Sequence, residues 1–177
     1  MKSTKNIKIL LGDITKIQAD AIVNAAGKGF GSIVGGGVDL AIFKAGGNEL
    51  REEEKREKEE KCPNGLQIGQ AVITKAHNLS CKYVIHTLGP RYYSEDINKL
   101  KDCYVNSLKL AEENDCKSIA FPAISTGAYG CPIEKSAEIV KSVMQEYKSG
   151  KIEEFIFVLY SEKDYEVYKK VFKVLDK

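Results

Sequence analysis

Two glycine-rich segments carry the residue types best suited to holding an anion. The first, NAAGKGFGSIVGGGVDLAIF at 24–43, has six glycines between Gly27 and Gly37. Three of them, 35–37, stand directly before a helix expected from about Val38. Backbone without side chains can approach a phosphate closely, and the unpaired N–H groups and dipole of a helix start then point at it. The segment lacks the Gly-Lys-Ser/Thr close of a P-loop, and its spacing misses the dinucleotide fingerprint. Glycines alone would also suit a mobile connector. The second segment, PAISTGAYGCP at 122–132, repeats the plan: small residues after a strand, then Pro132 where a first helical residue belongs. Two such loops at two strand ends are hard to explain as connectors. A diphosphate gripped from both sides accounts for both.

The elements that position these loops are legible in the hydrophobic pattern. Apolar runs of strand length fall at Ile7–Leu11, Ala19–Asn24, Gln70–Lys75, Tyr83–Thr87, Ser118–Phe121 and Phe155–Tyr160. The last, FIFVLY, is apolar throughout, as suits a strand covered on both faces. Helical spacing links Leu100, Cys103, Tyr104, Leu108 and Ala111, then Ile133, Ala137, Val140, Met144 and Tyr147, and at the end Tyr165, Tyr168, Phe172 and Leu175. Ser161 and Asp164 have capping-box spacing, and Gly150 is a stop for a helix over 133–148. REEEKREKEEK at 51–61 pairs acids with bases four residues on (Glu52–Arg56, Glu54–Lys58, Glu57–Lys61). It reads as the solvated extension of the helix from Val38, ended by Cys62-Pro63-Asn64-Gly65. Strands alternating with helices predict one domain over 1–177, a three-layer α/β/α sandwich around a mixed, largely parallel sheet. In such sheets ligands bind beyond the carboxyl ends of the strands, where both loops lie.

Composition narrows the function classes. The 43% hydrophobic and 29% charged residues are an ordinary globular balance, and no apolar run approaches a membrane span or a signal peptide, so a cytoplasmic protein is expected. The net charge of +2 is spread among interleaved acids and bases, giving no stripe for a nucleic-acid backbone. Cysteines 62, 81, 103, 116 and 131 are odd in number and lack metal-ligand spacing, so they read as reduced thiols, and no metal or cofactor is called for. His86, flanked by Ile85 and Thr87 in a strand, is expected in the core or behind a site. His77 is expected to face solvent, and Cys131 to pack rather than react.

With these segments in place, the chain resembles a macro domain, closest to the MacroD-like and archaeal single-domain types. The matching stretches run in order: GDIT at 12–15, ADAIVNAA at 19–26, GGGVD at 35–39, KAGG at 44–47, YVIHTLGP at 83–90, AISTGAYG at 123–130 and FVLY at 157–160. The resemblance implies ADP-ribose or an ADP-ribosyl derivative as ligand. It extends to mono-ADP-ribosylated proteins as partners and implies neither a membrane nor a specific nucleic acid.

It also implies roles. Asp13 would accept from the adenine amine, with the Ile14 backbone reading the ring edge, although an Asp there also suits a turn cap. Tyr160 would stack on adenine, or else be a partly buried aromatic with its hydroxyl in water. Gly36, Gly37 and Val38, with Ser125, Thr126, Gly127 and Ala128, would donate N–H groups to the diphosphate. Tyr129 would pack on the second ribose, and Asn24 and Ala26 would shape the strand end beside it.

MacroD-type enzymes carry a loop like NAAN…GGGGVDGAIH, whose second Asn, Asp and His surround the distal ribose. This chain keeps the acid as Asp39 but has Gly27 for that Asn and Phe43 for the His, in a loop two residues longer. Lys28, inside the longer loop, stands where it could replace the lost hydrogen bond. Asp39 could orient or deprotonate a water, or merely favour the dipole of the first helical turn. The sequence leaves hydrolysis of ester-linked ADP-ribose, by Asp39, beside non-catalytic reading of ADP-ribose. Removal of a terminal phosphate from ADP-ribose 1″-phosphate would use the same cradle.

Overall fold

The computed structural model describes residues 5–148 and 150–173. Six strands, β1 (Asn6–Leu11), β2 (Ala21–Ala25), β3 (Ala71–Lys75), β4 (Tyr83–Thr87), β5 (Ser118–Phe121) and β6 (Glu154–Leu159), form one sheet in the order β1-β6-β5-β2-β4-β3. Every neighbouring pair is parallel except β3 with β4. Among the described residues four α-helices flank the sheet, α1 (Gly37–Lys61), α2 (Leu100–Glu113), α3 (Ile133–Glu146) and α4 (Glu162–Phe172), with short 3-10 turns at Ile14–Lys16 and Ile97–Lys99.

The alternation of side chains along each strand divides the core in two. Ala21, Val23, Ile85, Ile119, Phe121, Phe155, Phe157 and Leu159 meet α2, α3 and α4 through residues such as Tyr104, Leu108, Val140 and Tyr168. Their neighbours Ile22, Val84, Ala120, Ile156 and Val158 meet Ile42 and Leu50 of α1. β6 lies inside the sheet between β1 and β5, so both its faces are covered, as an unbroken apolar run requires. Tyr165, Tyr168 and Phe172 pack as their spacing predicts, while Leu175 lies outside the described residues.

Four local expectations change. The helix from Val38 is not continuous: Gly47 adopts φ 82°, ψ −173° and breaks α1. Such a conformation is cheap only for glycine, and it redirects the second half of the helix. That half is not wholly solvated, because Glu54 is buried and pairs with Arg51 rather than Lys58, and Glu52 meets Lys55 rather than Arg56. Pro132 is the N-cap of α3, one position before the first helical residue. The same helix stops at Glu146 rather than near Gly150, since Tyr147 turns extended and sets its ring edge-on to Phe155. Ser161 caps α4 as predicted, accepting from the Asp164 N–H at 3.2 Å. Among the described residues no helix is long and apolar enough to cross a membrane.

Candidate functional site

β1, β6, β5, β2 and β4 run in the same direction, so the loops that follow them gather along one edge of the sheet. Every residue singled out for binding lies in or beside these loops. β2 and β5 are direct neighbours, which sets the two glycine-rich loops side by side.

The first loop is anchored rather than mobile. The Ala26 N–H donates to the Thr87 carbonyl at 2.9 Å, and Phe30 is buried with its ring 5.1 Å from that of His86. Lys28 reaches Glu95 at 2.9 Å, tying the loop to the 88–96 segment. At its end, Gly36 caps α1 with no side-chain hydrogen bond, and Gly37 takes φ 58°. A Cβ built on either glycine would meet nothing within 4 Å. The space beside these two glycines is therefore open, at the start of α1 where the helix dipole is positive.

In the second loop Ser125 holds φ 68°, a left-handed conformation rare outside glycine. It is maintained by the Cys131 N–H, which donates to the Ser125 carbonyl at 2.9 Å, and by the bond from Thr126 Oγ1 to the Ala123 carbonyl at 2.7 Å. Gly127 and Ala128 are exposed at the tip. The hydroxyl of buried Ser125 has no partner among the described residues. Tyr129 packs against the cluster containing Ala26, Phe30 and Leu88, so the second loop touches the root of the first. A cleft of about 280 Å³ opens beside Tyr129, lined by Arg91, Tyr93, Ser94 and Ala128, with the Arg91 guanidinium 5.3 Å from the Tyr129 ring.

At the other end of the edge, Leu11 of β1 pairs in register with Leu159 of β6, bringing Asp13, Ile14 and Tyr160 together. Asp13 does cap a turn: its Oδ1 accepts from the Thr15 N–H at 2.9 Å and from Thr15 Oγ1 at 2.7 Å. Both bonds fall on one oxygen. Tyr160 is 88% exposed, not the partly buried aromatic that was one of its two readings.

Asp39 sits in the first turn of α1 and joins the two halves of the first loop. Its Oδ2 accepts from the Gly35 N–H and its Oδ1 from Asn24 Nδ2, both at 2.7 Å. Each carboxylate oxygen keeps a lone pair for a further donor. Asn24 is fully buried, and its Oδ1 has no partner among the described residues. Phe43, in place of a histidine, lies half-buried with the Arg51 guanidinium 5.9 Å from its ring.

His86 is fully buried, as expected. His77 is not solvent-facing: its Nε2 lies 2.5 Å from Glu53 Oε2, at the opposite end of β3 from the glycine loops. Cys131 is buried and burial pushes its thiol up, which fits packing. Sequence reasoning missed Glu54. The signal was present, since Ile42, Gly46, Leu50 and Glu54 are buried four apart along α1 and the acid continues the inward stripe.

The chain matches the family model described as Macro domain over residues 23–140. It is 51% identical to a macro domain-containing protein of Caldanaerobacter subterraneus, covering 98% of this chain and 99% of that protein. It is 44% identical to the O-acetyl-ADP-ribose deacetylase of Escherichia fergusonii, over 97% of this chain and 96% of that one. Among solved structures it superposes on the Oceanobacillus iheyensis macrodomain with ADP at a TM-score of 0.91, with 34% identity and coverage of 98% and 93% of the two chains.

Proposed function

The chain belongs to the macro domain family, and from that premise we propose that it binds ADP-ribose along the carboxyl edge of the sheet and hydrolyses ester-linked ADP-ribose. Its substrate is O-acetyl-ADP-ribose or an ADP-ribosylated acidic side chain. Adenine lies between Asp13 Oδ2 and the exposed face of Tyr160. The diphosphate takes N–H groups from 36–38 on one side and 125–128 on the other. The distal ribose rests on Tyr129, beside Asn24 and Ala26. Asp39 orients a water and takes its proton, helped by the diphosphate that fixes the geometry. Ester and water become ADP-ribose and a carboxylic acid, with no metal in the step. On this proposal residues 1–177 form one domain working in the cytoplasm. One continuous sheet with core clusters on both faces supports the first part.

The observation that carries the proposal is the placement of Asp39. Its carboxylate is held by Asn24 and Gly35 in the first turn of a helix with no side-chain cap, between the residues assigned above to the diphosphate and to the distal ribose. The name carried by the Escherichia fergusonii relative and the ADP in the Oceanobacillus iheyensis structure support it. One observation favours a second reading, a non-catalytic reader: Gly27 and Phe43 offer no hydrogen bond and no proton carrier to the distal ribose. Release of ADP-ribose from O-acetyl-ADP-ribose by the purified protein separates the two. Turnover abolished in Asp39→Ala is expected. Undiminished turnover in that variant removes Asp39 from the mechanism, and binding without turnover in the wild type establishes the reader.

A further inference from the structure

Behind Asp39 runs a line of buried polar groups that the hydrolytic proposal does not use. Asn24 Nδ2 carries only hydrogens, so it donates both to Asp39 Oδ1 at 2.7 Å and to His86 Nδ1 at 3.1 Å. Turned over, the Asn24 amide would press its carbonyl oxygen against a carboxylate oxygen, so the charge on Asp39 fixes its orientation. His86 Nδ1 is therefore an acceptor, the ring proton lies on Nε2, and Nε2–H donates to Thr74 Oγ1 at 3.0 Å. Burial pushes the imidazole down to about 3, which keeps it neutral, and Phe30 covers it.

Glu54 stands beside the same Nδ1 nitrogen of this ring. Its Oε1 is 3.7 Å from His86 Nδ1, too far for a hydrogen bond, while its Oε2 accepts from Arg51 at 3.1 Å. Burial pushes this carboxyl up to about 7; Arg51 opposes the shift and the charge on Asp39 adds to it. The ionisable groups facing Glu54 are Arg51 and Asp39 from α1 and His86 from β4. To the same network β2 and β3 contribute the neutral Asn24 and Thr74, and the glycine loop contributes Phe30.

We propose that His86 is a positioning residue for Asp39, acting through Asn24. The inference rests on the hydrolytic role given to Asp39 above. His86 Nδ1 accepts the second hydrogen of that amide, which holds Asn24 Nδ2 where it aims Asp39.

The test uses His86→Leu and His86→Gln, each confirmed to be folded by circular dichroism. Two measurements are made across pH: kcat and KM on O-acetyl-ADP-ribose, and the Asp39 side-chain carboxyl signal by carbon-13 NMR. His86→Leu should lower kcat by about 10- to 100-fold with little change in KM, the scale set by misaiming a reacting group. Glutamine can accept from Asn24 and donate to Thr74, so His86→Gln should recover part of the loss. A folded His86→Leu protein with wild-type kcat and an unmoved Asp39 signal overturns the inference. A wild-type protein that releases no ADP-ribose sinks the hydrolytic proposal separately. The Asp39 signal still decides the inference then, because a resonance indifferent to His86→Leu overturns it.

Discussion

At the scale of single residues, the adenine end separates binding from folding most cleanly. Tyr160 is 88% exposed, so its removal leaves no cavity, and Tyr160→Ala should unfold at the wild-type urea midpoint. The same substitution should weaken ADP-ribose by about 1–3 kcal/mol, the worth of one base stacked on an aromatic ring. Asp13→Ala should cost a similar ~1–3 kcal/mol of affinity if Asp13 Oδ2 accepts from the base. It should also cost ~1 kcal/mol of stability, because Oδ1 caps the Thr15 turn. Calorimetric titration of each variant checks both, and unchanged affinity in either removes that residue from the site. Asp13 shows how a sequence reading can leave two roles open that the structure makes compatible. The cap uses one oxygen, and the other is available.

At the scale of elements, strand boundaries were readable to within two residues because the apolar runs are long and bounded by polar turns. The loops were expected as anion cradles because glycines before a helix start let backbone approach a phosphate, and the structure sets the two loops side by side. What the local pattern did not show was anchoring. A glycine-rich run gives no sign that Phe30 is buried in its middle against His86, since that contact joins residues far apart in sequence. The break at Gly47 was hidden for the opposite reason. Charged residues spaced for a helix continue on its far side, and a single glycine inside helical spacing is ambiguous. Anchoring has a measurable consequence. Phe30→Ala should destabilise the protein by about 3 kcal/mol in urea unfolding, the cost of emptying a buried aromatic site. It should also weaken ADP-ribose, because the loop carrying Gly36 and Gly37 loses its hold. A loss near zero would mean that the loop is held by Lys28–Glu95 and its backbone bonds alone.

At the scale of the whole molecule, two buried groups make stability depend on pH in opposite directions. Glu54 is raised from an ordinary 4.5 to about 7, so the folded state holds its proton more tightly than the unfolded chain does. That contribution is complete below the ordinary value and is lost as pH rises through about 7. His86 is lowered from an ordinary 6.5 to about 3, so its contribution is present above 6.5 and is lost as pH falls toward 3. Glu54→Gln should therefore gain on the wild type between about pH 5 and about pH 8, by at most about 3 kcal/mol. Urea unfolding at both ends of that range checks it, and a gap that does not change with pH contradicts it. Neither group was legible as a pair, because residues 54 and 86 meet only when α1 is laid across the sheet.

The same folding brings the loops after β2 and β5 together, and amide NMR with ADP-ribose tests that grip most directly. The N–H signals of residues 36–38 and 125–129 should shift together on titration, with those around Asp13 and Tyr160 following. Saturation with ligand while those two segments stay unmoved would contradict it.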